Sequence, residues 1–95
     1  MKIFDKAQWH IDAGEDANEV VSKIRKVFEF LDEKGMLTNE GKEMIDFGID
    51  SSISLNERMV TEKGYKFLEK NYDNIIGLKA DELTSKLKNL YNNIS

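Results

Sequence analysis

The single histidine of the sequence, His10, is the side chain that could most directly act as a general base. Asp12 follows two positions later and would have to orient the imidazole. Residues two apart do not face each other on a helix, and no serine or second histidine stands at a spacing that completes a nucleophile–base pair. We therefore expect no catalytic residues and no enzyme activity, unless the fold alone brings carboxylates together.

Metal and cofactor sites also lack the residues that they need. One histidine and no cysteine leave too few nitrogen and sulfur ligands for zinc. Carboxylates cluster at residues 12–16 and 46–50, but neither cluster has the alternating ligands, central glycine and closing glutamate of an EF-hand. The glycines do not form a glycine-rich phosphate loop. We expect no metal and no cofactor.

Length and composition indicate a single compact domain over residues 1–95. No apolar run approaches the roughly 18 residues of a membrane span, and the first residues lack the apolar core of a signal peptide. We therefore expect a cytoplasmic protein that does not bind membranes. The net charge of −4 argues against nucleic-acid binding through overall charge, and it suits a protein that captures a basic partner.

The longest helical pattern lies between Asp16 and Gly35 and predicts a central helix over residues 17–34. Asp16 and Glu19 form a capping-box pair at its start, and Gly35 can adopt the left-handed conformation that closes it. The apolar residues recur at the spacing of one helix face, namely Val20, Val21, Ile24, Val27, Phe28 and Leu31.

The rest of the pattern predicts a mainly α fold of four to five helices packed on this central helix. Thr38 caps a helix over about 39–49, in which Gly48 would allow close approach to the central helix. Thr61 caps a helix over about 62–75. A last helix from about Ala80 has an apolar face of Leu83, Leu87, Leu90, Tyr91 and Ile94.

Two stretches allow two interpretations each. Residues 1–13 alternate apolar and polar side chains as a strand does, but a cap at Asp5 and a stop at Gly14 favour a helix over about 6–13. Residues 52–60 could form one minimal β-hairpin, although the Asn56-Glu57 turn lacks the glycine that such turns prefer. The other interpretation of 52–60 is an ordered loop with a turn of helix.

Residues 36–45 and 59–68, the two repeated segments, share one pattern: Met, an aliphatic residue, Thr, two polar residues, Gly, two further residues and two apolar residues. We interpret both as helix starts with the same capping chemistry.

Residues Met59–Leu68 resemble the segment of winged-helix DNA-binding proteins in which the last wing strand leads into the closing helix. The resemblance implies a recognition helix earlier in the chain, over residues 41–49. That region has Glu40, Glu43, Asp46 and Asp50 against Lys42 alone, so it would repel phosphate. We therefore transfer no DNA contacts to this sequence.

Three phenylalanines, Phe30, Phe47 and Phe67, lie at the edges of their helices' apolar faces, where they belong either to the core or to an interface. The functional hypothesis is a non-catalytic protein-binding domain, of the immunity or antitoxin type, that neutralises a basic partner. The alternative is a winged-helix-like DNA-binding regulator acting through Lys63, Lys66 and Lys70. The predicted partner-binding residues are Glu40, Glu43, Asp46, Phe47, Asp50, Trp9 and Phe30.

Overall fold

The computed structural model describes residues 1–93 as a mainly α domain with five helices and one two-stranded antiparallel sheet, so the predicted fold class is confirmed. The predicted apolar position Ile94 lies outside the described residues. In chain order the elements are β1 (Ile3–Lys6), α1 (Ala7–Asp12), α2 (Ala17–Glu33), α3 (Asn39–Phe47), β2 (Ser54–Asn56), a 3₁₀ turn (Glu57–Met59), α4 (Glu62–Ile75) and α5 (Ala80–Asn92).

Helix α2 is the centre of the fold, and α1, α3 and α5 pack against it. An Asp16 carboxylate oxygen accepts a hydrogen bond from the Glu19 amide at 3.0 Å, and Gly35 follows the helix with a φ of +69°. The Glu19 side chain does not return to Asp16, because it accepts instead from the Ala80 amide and so ties the start of α5 to α2. Both predicted ends of the helix are confirmed, but the capping box is only half formed.

The sheet combines the two stretches whose structure the sequence left open. β1 occupies residues 3–6 and α1 follows directly, so the N-terminus contains both a strand and a helix. β2 pairs with β1 rather than within a hairpin over 52–60, with Ile3 opposite Asn56 and Lys6 opposite Ser54. Asn56 accepts a hydrogen bond from the Arg58 amide and thereby starts a 3₁₀ turn. The turn of helix predicted as the alternative is therefore the one that forms.

The two repeated segments contact each other reciprocally. Leu37 and Val60 form an isolated antiparallel bridge. The Thr38 amide donates to the Met59 carbonyl at 3.0 Å, and the Thr61 amide donates to the Met36 carbonyl at 2.9 Å. Each threonine hydroxyl also accepts from the glycine amide three residues later, which starts α3 and α4 in the same way. The shared pattern thus encodes a matched pair of helix starts that hold each other.

Close approach occurs at Gly41 and Gly64 and not at Gly48. A Cβ on Gly41 would clash with the Met59 carbonyl, and a Cβ on Gly64 would lie 2.7 Å from the Met36 carbonyl. Gly48 ends α3 with a φ of +95°, and nothing lies within 4 Å of where its Cβ would be. The predicted packing role of Gly48 is therefore wrong, because this glycine is needed for its backbone conformation.

No helix within residues 1–93 combines the length and the apolar composition that crossing a membrane requires.

Candidate protein-binding surface

The outer side of α3 presents an acidic face, which we define as Glu40, Glu43, Asp46 and Phe47. Glu40, Glu43 and Phe47 are three and four residues apart, so they form one stripe along the helix, with Asp46 beside it. Gly41, on the opposite side, packs against the 3₁₀ turn and thereby directs this stripe outward. All four residues of the acidic face are exposed, and Phe47 is 81% exposed. The structure therefore brings together four of the predicted partner-binding residues.

The charges of the acidic face are not neutralised within the described chain. Among residues 1–93, the carboxylates of Glu40, Glu43 and Asp46 accept no side-chain hydrogen bond and form no salt bridge. Lys42 is the one basic residue on this helix, and it forms no salt bridge within residues 1–93. Uncompensated carboxylates on one face produce a local negative potential that attracts basic groups.

Asp50 extends the negative charge beyond the end of α3. Its carboxylate accepts hydrogen bonds from the Ser52 hydroxyl at 2.6 Å and from the Ser52 amide at 2.9 Å. These bonds, that of the hydroxyl first, lower the pKa of Asp50 below its ordinary value, so the group is negatively charged at neutral pH. Ile49 is buried just before it, and the Ile49 carbonyl accepts from Arg25. The turn therefore holds Asp50 in a fixed position.

Phe30 does not belong to a binding surface, and its assignment to the partner-binding residues is corrected. Its side chain is only 4% exposed, because it packs against Phe67 and Tyr91 with ring centroids 5.8 and 5.9 Å away. Phe67 is buried in the same cluster. Of the three phenylalanines at helix edges, Phe47 alone is accessible to a partner.

Trp9 is accessible but lies on a different element from the acidic face. It is 52% exposed on α1, and the Lys6 ammonium lies 6.0 Å from its ring centroid. Helix α1 packs on α2. Trp9 is therefore a separate exposed aromatic residue rather than an addition to the acidic face.

In the structure the imidazole of His10 contacts Asp5 and Glu15, and not Asp12, which the sequence suggests as its partner. Its Nε2 lies 2.7 Å from an Asp5 carboxylate oxygen and its Nδ1 lies 2.9 Å from a Glu15 oxygen, whereas Asp12 accepts from Gln8. Carboxylates only accept, so both contacts are hydrogen bonds when both ring nitrogens are protonated. The other Asp5 oxygen accepts from the Tyr72 hydroxyl at 2.5 Å. Sequence spacing could not reveal this cluster, because α4 supplies one member.

The Asp5–His10–Tyr72 cluster is largely buried between the N-terminal elements and α4. Asp5 is 2% exposed and Tyr72 is also buried, and the adjoining cavity, of about 10 Å³, is smaller than a substrate needs. Burial, and then the charge and hydrogen bond of Asp5, raise the pKa of Tyr72 well above its ordinary value of 10.0. The cluster therefore connects the N-terminal elements to α4.

The raised pKa of Tyr72 predicts a loss of stability in alkali. Above about pH 10 the unfolded chain loses the tyrosine proton while the folded chain keeps it, so folding becomes less favourable as the pH rises. We expect Tyr72→Phe to flatten the dependence of the urea midpoint on pH between about pH 9 and 11. Tyr65→Phe is the control, because the pKa of Tyr65 is raised to a smaller extent. An unchanged slope in Tyr72→Phe would contradict this account.

The lysines of the alternative function also form one surface, which we call the basic stripe: Lys63, Lys66 and Lys70. They are exposed on α4 and line an open cleft of about 310 Å³ together with Phe67 and Asn71. The Lys63 ammonium donates to the Tyr91 hydroxyl at 3.1 Å. Lys66 lies 3.3 Å from Glu62 in an exposed pair, which contributes little stability.

Within residues 1–93, no three histidine, aspartate or glutamate side chains are grouped closely enough to hold a metal ion. Comparison of the chain with protein-family models, curated proteins and solved structures finds no match.

Proposed function

We propose that this chain is a cytoplasmic, non-catalytic protein-binding domain of the immunity or antitoxin type, and that its acidic face captures a basic protein. The observation that carries the proposal is Phe47, a large aromatic side chain that is 81% exposed among carboxylates that form no ion pair within residues 1–93. The fold does not need an aromatic residue at this position, because Phe47 contributes nothing to the buried core. An exposed apolar group within a charged rim is typical of an interface.

Each part of the acidic face has a separate role in this proposal. The carboxylates of Glu40, Glu43 and Asp46 attract a basic partner and accelerate its association, an effect that salt weakens. Phe47 anchors the complex, since burying its ring against the partner contributes roughly 1.5–3 kcal/mol. Asp50, held by Ser52, adds a fixed charge at one end.

The test is affinity capture of a basic protein, followed by affinity measurements on the purified complex. We expect Glu43→Lys with Asp46→Lys, and separately Phe47→Ala, to weaken binding at least tenfold, which corresponds to about 1.4 kcal/mol. The control is Glu29→Lys with Glu33→Lys, which changes the net charge equally on the exposed side of α2. Calorimetry at low and high salt would measure both effects.

Binding that survives Glu43→Lys with Asp46→Lys and does not depend on salt would reject the acidic face and direct attention to Trp9. Binding of duplex DNA that falls steeply with added salt, and that is lost in Lys63→Glu with Lys70→Glu, would favour the winged-helix-like regulator instead.

A further inference from the structure

The two repeated segments carry opposite charges at equivalent exposed positions. The shared pattern aligns Gly41 with Gly64, and therefore Glu40 with Lys63 and Glu43 with Lys66. Continuing the same alignment pairs Asp46 with Glu69, which has the same charge, and Phe47 with Lys70. Glu40 and Glu43 of the acidic face thus have counterparts of opposite charge in the basic stripe, and the two stripes share the spacing of three and four residues.

The two surfaces do not neutralise each other inside one chain. Within residues 1–93 no salt bridge joins α3 to α4, and the only ion pair of the basic stripe is the exposed contact of Lys66 with Glu62. Both surfaces are exposed in the monomer. Apart from Lys63, which donates to the Tyr91 hydroxyl, the charged groups of both surfaces are therefore accessible to another molecule.

We infer that the acidic face takes a second copy of this chain as a partner, with α3 of one copy lying on the basic stripe of the next. The inference rests on the proposed role of the acidic face as a docking surface. Glu43 and Lys66 are the middle members of their stripes, so they face each other whichever way the two helices run. Phe47 then lies at one end of the cleft that the α4 lysines line together with Phe67.

The contact is weak, and it joins two different surfaces. Two turns of helix on each side bury less than the roughly 1,200–2,000 Å² of a stable complex, so association is reversible and needs high protein concentration. At physiological salt, charge interactions are screened beyond about 8 Å, which limits the repulsion between copies that each carry −4. Because the two docking surfaces differ, each open complex leaves one acidic face and one basic stripe free, and further copies add beyond a dimer.

A charge-exchange experiment tests this inference with purified chains alone. We expect sedimentation velocity of the wild type between about 0.02 and 1 mM to show an average mass that rises with concentration and passes that of a dimer. Glu43→Lys alone and Lys66→Glu alone should each remain monomeric. An equimolar mixture of the two variants should associate again, because the unchanged Glu43 of one variant faces the unchanged Lys66 of the other, and the new lysine faces the new glutamate at the next contact.

The matched controls are Glu33→Lys and Lys86→Glu, exposed charges outside both surfaces, which should associate as the wild type does. Circular dichroism establishes that each variant is folded. A wild type that is monomeric at 1 mM, a Glu43→Lys variant that still associates, or a mixture that stays monomeric would overturn the inference. These outcomes are independent of the capture experiment, because no second protein is present, so the proposed function can stand if self-association fails.

Discussion

Gly41→Ala is expected to lower the free energy of unfolding by about 3 kcal/mol, even though alanine favours a helix over glycine by up to about 1 kcal/mol. The added methyl group would overlap the Met59 carbonyl and crowd a Leu37 methyl group at 3.1 Å. The Met59 carbonyl cannot easily move, because it accepts the Thr38 amide in the reciprocal contact of the two repeated segments. Urea unfolding followed by circular dichroism measures the change.

Gly77→Ala provides the matched control for this prediction. Nothing lies within 4 Å of where its Cβ would be, and its φ is not in the left-handed region. We expect this variant to be neutral or more stable by about 0.5 kcal/mol, since alanine restricts the unfolded chain. If Gly41→Ala behaved as Gly77→Ala does, the 3₁₀ turn would have to be free to move away from α3, and the reciprocal contact would not be rigid.

The helix starts could be predicted from the sequence because their chemistry is local. The side chains of Asp16, Thr38 and Thr61 each accept from the amide three positions later, and α2, α3 and α4 begin where these caps place them. The pairing of the repeated segments was not predicted, although the repeat itself was visible. A pattern of similar residues shows that two segments adopt the same local structure, but it does not show that they touch.

The parts that could not be predicted depend on contacts between distant residues. The strand β1 exists because residues 54–56 provide its partner, and a four-residue segment has no local signal strong enough to specify that pairing. The sequence pattern places Gly48 in the helix interior, because apolar residues continue to Ile49. In the structure the left-handed φ of this glycine ends the helix earlier. The empty space beside Gly48 depends on the tertiary structure, which a local sequence pattern does not specify.

The candidate surface likewise combines local features, which the sequence predicts, with features that depend on tertiary contacts. The charges of Glu40, Glu43 and Asp46 and their placement on one helix side could be predicted, because helical spacing is local. By their sequence positions, Phe30 and Phe47 both lie at the edge of the apolar face of a helix, so the sequence does not distinguish a core role from an interface role. They differ because α4 and α5 supply Phe67 and Tyr91 to cover Phe30, whereas no described element covers Phe47.

Asp5→Ala is the second substitution with a large expected effect, a loss of about 3 kcal/mol in the free energy of unfolding. The Asp5 carboxylate accepts from His10, from the Tyr72 hydroxyl and from the Lys6 amide, so its removal deprives three donors of their acceptor. The largest cost is that of leaving the Tyr72 hydroxyl without an acceptor, because this hydroxyl is buried. Water cannot replace the carboxylate unless the contact between β1 and α4 opens.

Asp12→Ala is the control on the adjoining helix, since Asp12 is exposed and, in the described part of the chain, accepts only from Gln8; it should change stability by less than about 0.5 kcal/mol. A double-mutant cycle of Asp5→Ala with Tyr72→Phe isolates the contact between the two side chains. We expect the double variant to be more stable than the sum of the single losses predicts, by about 1 kcal/mol or more, because Tyr72→Phe removes the donor that Asp5→Ala leaves unpaired. Purely additive losses would mean that the two side chains stabilise the fold separately, and that the cluster does not connect β1 to α4.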